Sequence, residues 1–425
     1  MLIRIARWSL VALFAASALG FAFTIGYVMK DDGNAGPGAS SSDAGAFAVL
    51  NEIYGVLKED FVNKEQLNED VLVESAVNGL LGALGDPHTV YIDPQSYQLG
   101  RGEASGKFEG IGATVRRDSA TGAIVIVRPF TGSPAERSGI RPGDVVLRVN
   151  GEATTGWSVE EAQLRIRGAR GTTVRLTVRH SDGKQEDLDV VRDEIVVATV
   201  LACPAVKLPS GHSSTDGIEG ACPVKDAQGQ PVQDLLYLRI DQFTDSTADD
   251  VAAVLRGVDQ TKYRGLILDL RGNPGGLLSA TVDTTDLFLG NAVVLIQENV
   301  DGSRQEFRAR TGTLTTLPIA VLQDGQSASG SEVLAAALRD GARATLIGEK
   351  TFGKGTVNQL RPLPNGGALY VSVARWLTPS GVGIEGRGVS PDIEVIPTDE
   401  DFDQAALNPD WDPQLFRAIQ HLRNR

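Results

Sequence analysis

From residue 235 onward, short apolar runs alternate with helical patterns. The runs are LLYLRI (235–240), GLILDL (265–270) and PIAVLQD (318–324). Apolar residues recur at helical spacing over 248–258, 277–288 and 331–338. Continuous apolar runs of this length are typical of strands buried on both faces, and strands that alternate with helices indicate βαβ units. We therefore predict an α/β core over residues 194–400.

Two further regions precede this core. From Phe47 to Leu84 the apolar residues follow helical spacing, which predicts an N-terminal helical region over 47–104. After Gly106 the period changes to two, in IGATVRR, AIVIVRPF and DVVLRVNG. Gly and Pro separate these runs, so we predict a small β domain over 105–193. The fold class is thus multidomain α/β, with residues 401–425 as a C-terminal tail.

The N-terminus carries a segment that is long enough to span a bilayer. Residues 8–29 are uncharged, Arg4 and Arg7 precede them, and a Gly/Ser linker covers the stretch 31–46. The positive-inside rule then places the rest of the chain outside the cytoplasm. We expect residues 1–30 to be an uncleaved anchor. The alternative is a signal peptide cleaved at Ala16-Ser17-Ala18.

Charge and cysteine content exclude some classes of partner. The chain has 40 Lys and Arg against 54 Asp and Glu, a formal charge of −14, so we expect no nucleic-acid binding. Cys203 and Cys222 lie in a Pro/Gly/Ser-rich loop over 201–232, where a disulfide is the default in an exported protein. Two free thiols are the alternative. His212 alone does not complete a metal site, and we expect neither a metal nor a cofactor.

The run GEKTFGKGTV (348–357) is similar to a phosphate-binding P-loop but departs from it. A P-loop needs Ser or Thr directly after its lysine, to hold magnesium, and here that residue is Gly355. Thr356 and Val357 are also poor residues with which to begin a helix. We therefore do not predict a nucleotide site, and Lys354 is either a solvated lysine in a Gly-rich turn or a residue with another role.

Two Gly- or Ser-rich turns follow strands of the predicted core. In SASGSEVLAAAL (327–338) a serine stands between a strand and a helix, a position that holds nucleophiles in α/β sheets. In LDLRGNPGGLL (268–278) the backbone N–H groups can form an oxyanion hole. The structural alternatives are that Ser327, Ser329 and Ser331 only cap the helix, with Glu332 in its first turn, and that the glycines only make a tight connection.

A catalytic serine needs a base. None of the four histidines is predicted within the core, and only His88 could reach the serines if the fold brought it there. Lysine serves as a base when burial lowers its pKa. Lys354, which is flanked by Phe352, Gly353, Gly355 and Val357, fits that requirement. The sequence therefore favours a lysine base.

Taken together and in order, these motifs resemble the C-terminal processing peptidases, also called tail-specific proteases. The matching runs are SASGSEVLAAALRDGARATLIGEKTFGKGTV, GLILDLRGNPGGLL, LTPSGVGIEGRGVSPDI and GLLGALGDPHTVYIDP. The resemblance covers residues 47–393. It implies a serine–lysine peptidase that carries a PDZ domain.

The resemblance assigns roles to particular residues. Ser329, the middle serine of its motif, matches the family's nucleophile, and Lys354 matches its base. The oxyanion hole falls on the N–H groups of Gly330 and Gly275, with Gly276 as the second choice. Where the family usually has Gln, four residues after the lysine, this chain has Asn358, which is one methylene shorter. The contact that orients the amine is thus a point of departure from the family.

The β domain resembles a PDZ, with a carboxylate-binding loop and first binding strand at Gly110, Ile111, Gly112 and Ala113. A PDZ adds a C-terminal peptide as an extra strand. The resemblance therefore implies protein substrates recognised by their C-terminal tails, or a PDZ that gates the active site. It places the chain in the bacterial inner membrane with its catalytic part facing the periplasm or the exterior, or in secreted form.

Several alternatives stay open at this point. The resemblance leaves open an accessory or adaptor protein and a homo-oligomer. The rival to an exported endopeptidase is a catalytically impaired PDZ scaffold, for which Asn358 is the argument.

Overall fold

A computed structural model of the chain describes residues 43–425 apart from 95, 98–106, 119–120, 131, 158, 197–198, 210–221, 223, 311 and 409. The expected membrane segment, residues 8–29, lies outside the described residues. Among the helices of the described part, none combines the length and the apolar character that crossing a bilayer requires. The architecture is mixed α/β, as the sequence predicts.

The described part of the N-terminal region contains helices α1 (Asp43–Asp60) and α2 (Glu69–Gly82). Asn68 caps α2, because its Oδ1 accepts the N–H groups of Asp70 and Val71. Apolar side chains of both helices are exposed; Ile53, for example, keeps 51% of its surface accessible. The predicted helical spacing is confirmed, but it does not mark a buried face in the single chain.

In its described residues the β domain contains eight strands and two helices. Its elements are β2 (Lys107–Gly110), β3 (Ala113–Arg117), β4 (Ile124–Pro129), α3 (Pro134–Arg137), β5 (Val145–Val149), β6 (Glu152–Ala153), α4 (Val159–Ile166), β7 (Thr173–Arg179), β8 (Gln185–Val191) and β9 (Asp193–Val196). The main sheet has the order β3-β4-β5-β7-β8, so that β3 lies at an edge, and β2 pairs with β9 in a separate ribbon. Helix α4 packs beside the edge strand β3.

The core is a six-stranded sheet of order β10-β11-β12-β15-β16-β19. Its strands are β10 (Val200–Cys203), β11 (Leu235–Ile240), β12 (Gly265–Asp269), β15 (Ile319–Gln323), β16 (Ala344–Gly348) and β19 (Ile393–Glu394). All neighbours are parallel except β10 and β11. Helices α5 (Thr247–Gly257), α6 (Leu278–Asp286) and α7 (Gly330–Asp340) connect the parallel strands, as the predicted βαβ units require.

Alternate residues of these strands face two separate clusters, which explains why the runs are apolar throughout. Leu266 and Leu268 pack with residues of the three connecting helices, whereas Ile267 lies in a cluster on the other face. Cys203, at the end of β10, is joined to Cys222 by a disulfide with a Cα–Cα distance of 5.5 Å.

A second, antiparallel sheet of five strands lies beside the core. Its strands are β1 (Val90–Ile92), β13 (Val293–Asn299), β14 (Arg304–Arg308), β17 (Thr356–Pro362) and β18 (Ala368–Leu377). Strand β1 pairs with the start of β18, with Val90 opposite Tyr370. This pairing brings the segment just before β1, which contains His88, to the strand that follows Lys354.

The C-terminal residues 401–425 are not a tail separate from the core. They belong to helices α8 (Asp399–Leu407) and α9 (Pro413–Arg423). Ala418, Ile419 and Leu422 of α9 are buried against the face of the sheet that α5, α6 and α7 leave open. The boundary that the sequence placed at 400 therefore cuts through the hydrophobic core.

Candidate active site

The predicted site residues lie in three turns that follow neighbouring parallel strands. The Gly-rich turn follows β12, the serine run follows β15, and the lysine segment follows β16. Because these strands are adjacent and parallel, their carboxyl ends meet at one edge of the sheet, where α/β folds place ligands and catalytic groups.

Ser329 stands just before helix α7 and is the accessible serine of its run. Ser327 and Ser331 are buried, at 1% and 0% exposure, and their hydroxyls donate to the carbonyls of Leu270 and Asn273. Ser329 is half-buried and has φ 52° and ψ −113°. A non-glycine residue in such a conformation stores about 1–3 kcal/mol of strain, which is typical of functional sites.

Gly275 brings the Gly-rich turn against Ser329. Its φ is +104°, and a Cβ at this position would lie 2.7 Å from the Cβ of Ser329 and 2.9 Å from the nitrogen of Gly330. No side chain larger than hydrogen fits there. The N–H of Gly275, however, donates to Oδ1 of Asn273 at 2.8 Å. Within the described part of the chain, the N–H groups of Gly330 and Gly276 have no acceptor.

Lys354 is largely buried at the same edge. Burial lowers the pKa of its amine from 10.5 to about 8, although the carboxylates of Glu385, Asp86 and Glu332 act in the opposite direction. Its Nζ lies 5.4 Å from the centroid of the Tyr370 ring. An amine with this pKa is partly neutral near neutral pH, so it can accept a proton.

Glu332 connects the serine turn to the lysine turn. Its Oε2 accepts the N–H of Ser329 at 2.8 Å and the N–H of Lys354 at 2.9 Å. The two nitrogens are therefore at most the sum of these distances apart, 5.7 Å. Its Oε1 accepts the Thr351 hydroxyl at 2.6 Å and the Gly353 N–H at 2.7 Å. Burial raises the pKa of this carboxyl, while the four hydrogen bonds oppose the rise.

Asn358 is buried beside the site, at 3% exposure. Its amide nitrogen donates to the His88 carbonyl at 2.8 Å and to the Ser372 hydroxyl at 3.1 Å, and its Oδ1 accepts the Thr356 hydroxyl at 3.0 Å. Through these hydrogen bonds Asn358 connects the His88 segment with strands β17 and β18. A role of this amide in orienting the Lys354 amine stays a prediction.

The fold also brings His88 close to the lysine segment. Its Nε2 lies 3.2 Å from Oε1 of Glu385, and Oε2 of Glu385 accepts the N–H of Gly355 at 2.7 Å. The histidine that the sequence left outside the core is therefore one contact away from the residue that follows Lys354. A cavity of about 610 Å³ opens here, and Asp86, Thr356 and Glu385 are among its lining residues.

The predicted peptide-binding loop of the β domain lies between β2 and β3. Gly112 has φ +74°, and a Cβ there would lie 2.6 Å from the Cβ of Ser133. The carbonyls of Ile111 and Gly112 accept the N–H groups of Ala135 and Phe130. Gly110 ends β2 and Ala113 begins the edge strand β3, so all four predicted residues fall on one loop and its two borders.

The sequence predicts Ser329, Gly330, Gly275 and Lys354 as site residues, and the turns that carry them lie at the same edge of the sheet. Sequence reasoning treated Glu332 only as a first-turn residue of the helix, and it did not identify Glu385. The third position of a helix is a recognisable signal for Glu332. No sequence pattern near Glu332 predicts that its carboxylate also accepts the N–H of Lys354, which lies 22 positions further on.

Comparison with known families agrees with this arrangement. Residues 234–395 match peptidase family S41, residues 103–179 match the PDZ domain, and residues 28–96 match the N-terminal domain of the activating protease CtpB. The three matched regions follow one another along the chain, in the order in which the helical region, the β domain and the core are found.

Individual relatives are similar over most of their length. The chain is 32% identical to the carboxy-terminal processing protease CtpA of Bacillus subtilis, over 91% of this chain and 75% of that protein. It is 36% identical to a carboxy-terminal-processing protease of Bartonella bacilliformis, over 77% of this chain and 70% of that protein. Among solved structures, a photosystem II D1 C-terminal processing protease is 26% identical, with a TM-score of 0.47 over 84% of this chain and 94% of that one.

Proposed function

This chain belongs to the carboxy-terminal processing proteases of peptidase family S41, and on that premise we propose that it is a serine endopeptidase with Ser329 as nucleophile and Lys354 as general base. The observation that carries the proposal is the largely buried amine of Lys354, with a pKa of about 8. Its backbone shares one carboxylate oxygen with that of Ser329. A lysine in water, by contrast, is almost fully protonated at neutral pH.

In the proposed reaction, Oγ of Ser329 attacks the carbonyl carbon of the scissile peptide while its proton passes to Nζ of Lys354. The ammonium then protonates the leaving nitrogen, the C–N bond breaks, and an ester joins Ser329 to the N-terminal part of the substrate. Water attacks this ester and gives its proton to Lys354. The serine leaves with that proton, and the amine is neutral again.

The oxyanion of each tetrahedral intermediate needs donors that are already in place. The N–H of Gly330 supports this role because it follows the nucleophile and has no acceptor within the described residues. The family pattern assigns the second donor to Gly275. Since Asn273 holds that N–H, either the amide side chain releases it or the neighbouring Gly276 serves instead.

The substrates that we propose are exported proteins with accessible C-terminal tails. The PDZ domain supports this, because β3 is an edge strand to which a peptide can be added. Export, and an anchor formed by residues 8–29, rest on the sequence. The location is tested on cells whose outer envelope has been removed, to which a protease is added before or after lysis. If the chain is degraded only after lysis, it lies inside the inner membrane, and the proposed location is contradicted.

The nucleophile is tested by Ser329→Ala in a casein or fluorogenic peptide assay. We expect kcat to fall by about 10³-fold or more, with the circular dichroism spectrum unchanged. Ser181→Ala, at an exposed serine in a turn of the β domain, is the matched control and should keep full activity. Turnover of Ser329→Ala within tenfold of the parent would refute the assignment and favour the impaired scaffold.

The base is tested separately, because His88 lies close by. Lys354→Ala and Lys354→Arg should both be inactive, since a guanidinium does not deprotonate in proteins. His88→Ala should retain activity, although the loss of its contact with Glu385 lowers it. Full activity in Lys354→Ala together with inactive His88→Ala would move the role of base to His88.

A further inference from the structure

The segment 384–389, between β18 and β19, lies against the turn 351–355 that carries Lys354. Backbone hydrogen bonds of 2.9 and 3.2 Å join the segment to the turn. The two backbones touch at Gly355, where a Cβ would lie 2.2 Å from the nitrogen of Glu385. Glu385 is therefore fixed beside the residue that follows the lysine.

The carboxylate of Glu385 is held at both of its oxygens. Its Oε2 accepts the N–H of Gly355 at 2.7 Å, and its Oε1 lies 3.2 Å from Nε2 of His88. An ionised carboxylate only accepts hydrogen bonds, so Nε2 is the donor in this contact. His88 is itself buried. The negative charge of Glu385 is thereby held in place next to the lysine turn.

Glu385 is one of several ionisable groups around this turn. They are Glu385, Asp86, Glu332, His88, Tyr370 and Arg375. Burial lowers the pKa of the Lys354 amine, and among the carboxylates that oppose this effect Glu385 acts most strongly. Glu385 is thus the main negative charge that stabilises the ammonium form of Lys354.

The proposed reaction uses both forms of this lysine. The neutral amine takes the proton of Ser329, and the ammonium later protonates the leaving nitrogen. Burial favours the neutral form but makes the amine a weaker base, whereas a nearby negative charge favours the ammonium. The two effects together suit a group that must gain and lose a proton in each turnover.

We propose that Glu385 is a positioning residue for Lys354: it holds the turn that carries the lysine, and its charge keeps the buried amine basic enough to take the proton of Ser329. The proposal rests on the proposed role of Lys354 as base and adds a residue that acts through it. The role depends on the charge of Glu385 as well as on its hydrogen bonds, which separates it from a merely structural contact.

The pH profile of kcat/KM tests the charge, read as the pH at which kcat/KM reaches half of its plateau, the kinetic midpoint. Glu385→Gln keeps an oxygen that can accept the Gly355 N–H but removes the charge. We expect its kinetic midpoint to fall by about half a pH unit or more below that of the parent, because a nearby carboxylate favours the protonated amine. Glu385→Asp keeps the charge, so its midpoint should stay within about 0.3 of the parent's even if kcat falls.

Glu298→Gln is the matched control for the loss of a carboxylate. Glu298 lines the same cavity as Glu385, but it forms an ion pair with Arg304 at 2.8 Å, which offsets its charge. We expect Glu298→Gln to leave the kinetic midpoint where the parent has it. A fall as large as that in Glu385→Gln would show that any carboxylate of the cavity has this effect, and it would refute the specific role of Glu385.

Acetylation measures the amine without catalysis. The full-length chain with Ser329→Ala is treated briefly with acetic anhydride at a series of pH values, and mass spectrometry follows the acetylation of Lys354 relative to the exposed Lys350. Only the neutral amine attacks the reagent, so the pH of half-maximal rate, the labelling midpoint, follows the pKa of Lys354, about 8. Glu385→Gln should lower this midpoint by the same amount as the kinetic one.

The two midpoints separate this proposal from the one on which it rests. If the labelling midpoint is unchanged in Glu385→Gln, the role of Glu385 is refuted, whether or not the kinetic midpoint moves. If the labelling midpoint falls while the kinetic midpoint stays, Glu385 acts on the amine but Lys354 is not the base, and the proposed function fails instead. If Glu385→Gln does not fold, Glu385→Ser replaces it, and an unchanged labelling midpoint is again the refuting result.

Discussion

Replacing Lys354 by methionine should make the protein more stable while it abolishes activity. In the folded chain, burial lowers the pKa of the amine from 10.5 to about 8. At pH 7 the amine is largely protonated in both states, so nearly the whole difference in pKa acts against folding. A difference of one in pKa corresponds to about 1.36 kcal/mol, so the lowered pKa of Lys354 destabilises the folded state by roughly 3 kcal/mol at pH 7. Methionine keeps most of the volume and removes the charge, so Lys354→Met should gain about this amount.

The gain should also depend on pH in a defined direction. Between pH 8 and pH 10.5 the unfolded state binds more protons than the folded state, so the stability of the lysine form rises with pH. The advantage of Lys354→Met should therefore shrink from roughly 3 kcal/mol at pH 7 to roughly 1 kcal/mol at pH 10. An ordinary surface lysine has no such dependence.

Urea unfolding measures the effect. Both chains should carry Ser329→Ala, so that self-cleavage does not interfere. Lys350→Met is the matched control, because Lys350 lies four residues away and is exposed; it should change stability by less than about 0.5 kcal/mol. If Lys354→Met is less stable than its parent at pH 7, or if its advantage does not change with pH, then the amine is not destabilised by burial and the argument for a neutral base fails.

Further predictions concern the residues around this amine. The kcat/KM of the wild-type chain should rise with pH and level off above the pKa of Lys354, about 8; a profile that levels off near pH 6 would contradict a lysine base. Glu332→Gln should lower both activity and stability, by about 2–3 kcal/mol in urea unfolding, because its amide group faces backbone donors; activity like the parent's would show that the shared carboxylate is dispensable. Asp412→Ala should cost about 2–4 kcal/mol, since it removes a helix cap and a partner of Arg271. Asp410→Ala, at an exposed ion pair, is its control and should cost less than about 1 kcal/mol.

The parallel strands could be predicted from the sequence because burial on both faces of the sheet favours an apolar side chain at each position. Strand β11 has the bounds of its apolar run, 235–240, and β12 and β15 fall inside theirs. Strands buried on both faces are apolar at each position and need no partner to be recognised. Two of them, β12 and β15, are adjacent and parallel, and therefore the turns that carry Gly275 and Ser329 lie at the same edge of the sheet.

The antiparallel sheet could not be predicted in the same way. Its pairs join segments that are far apart, such as Val90 with Tyr370, and its strands are only half-buried. Alternating patterns do not tell which strands will pair. The position of His88 near Lys354 follows from this sheet alone, and for that reason the sequence left it outside the core.

The final helix, in contrast, did carry a readable signal. Asp412 and Pro413 form a helix start, and Leu415, Ala418, Ile419 and Leu422 follow at helical spacing. Their burial shows that a domain boundary drawn from the motifs alone ends too early. The match to the peptidase family also stops at residue 395, before this helix begins.

The placement of α9 has a consequence for biosynthesis. A ribosome delivers Ser329 and Lys354 well before it delivers residues 413–423, which cover one face of the central sheet. Until those last residues emerge, Ile267 and Ile347 lack their covering helix, and Arg271 lacks its contacts with Asp412 and Gln414. The nascent chain would therefore hold Ser329 and Lys354, the proposed nucleophile and base, in an unfinished fold. We expect peptidase activity to appear only after residues 413–423 have packed against this face of the sheet.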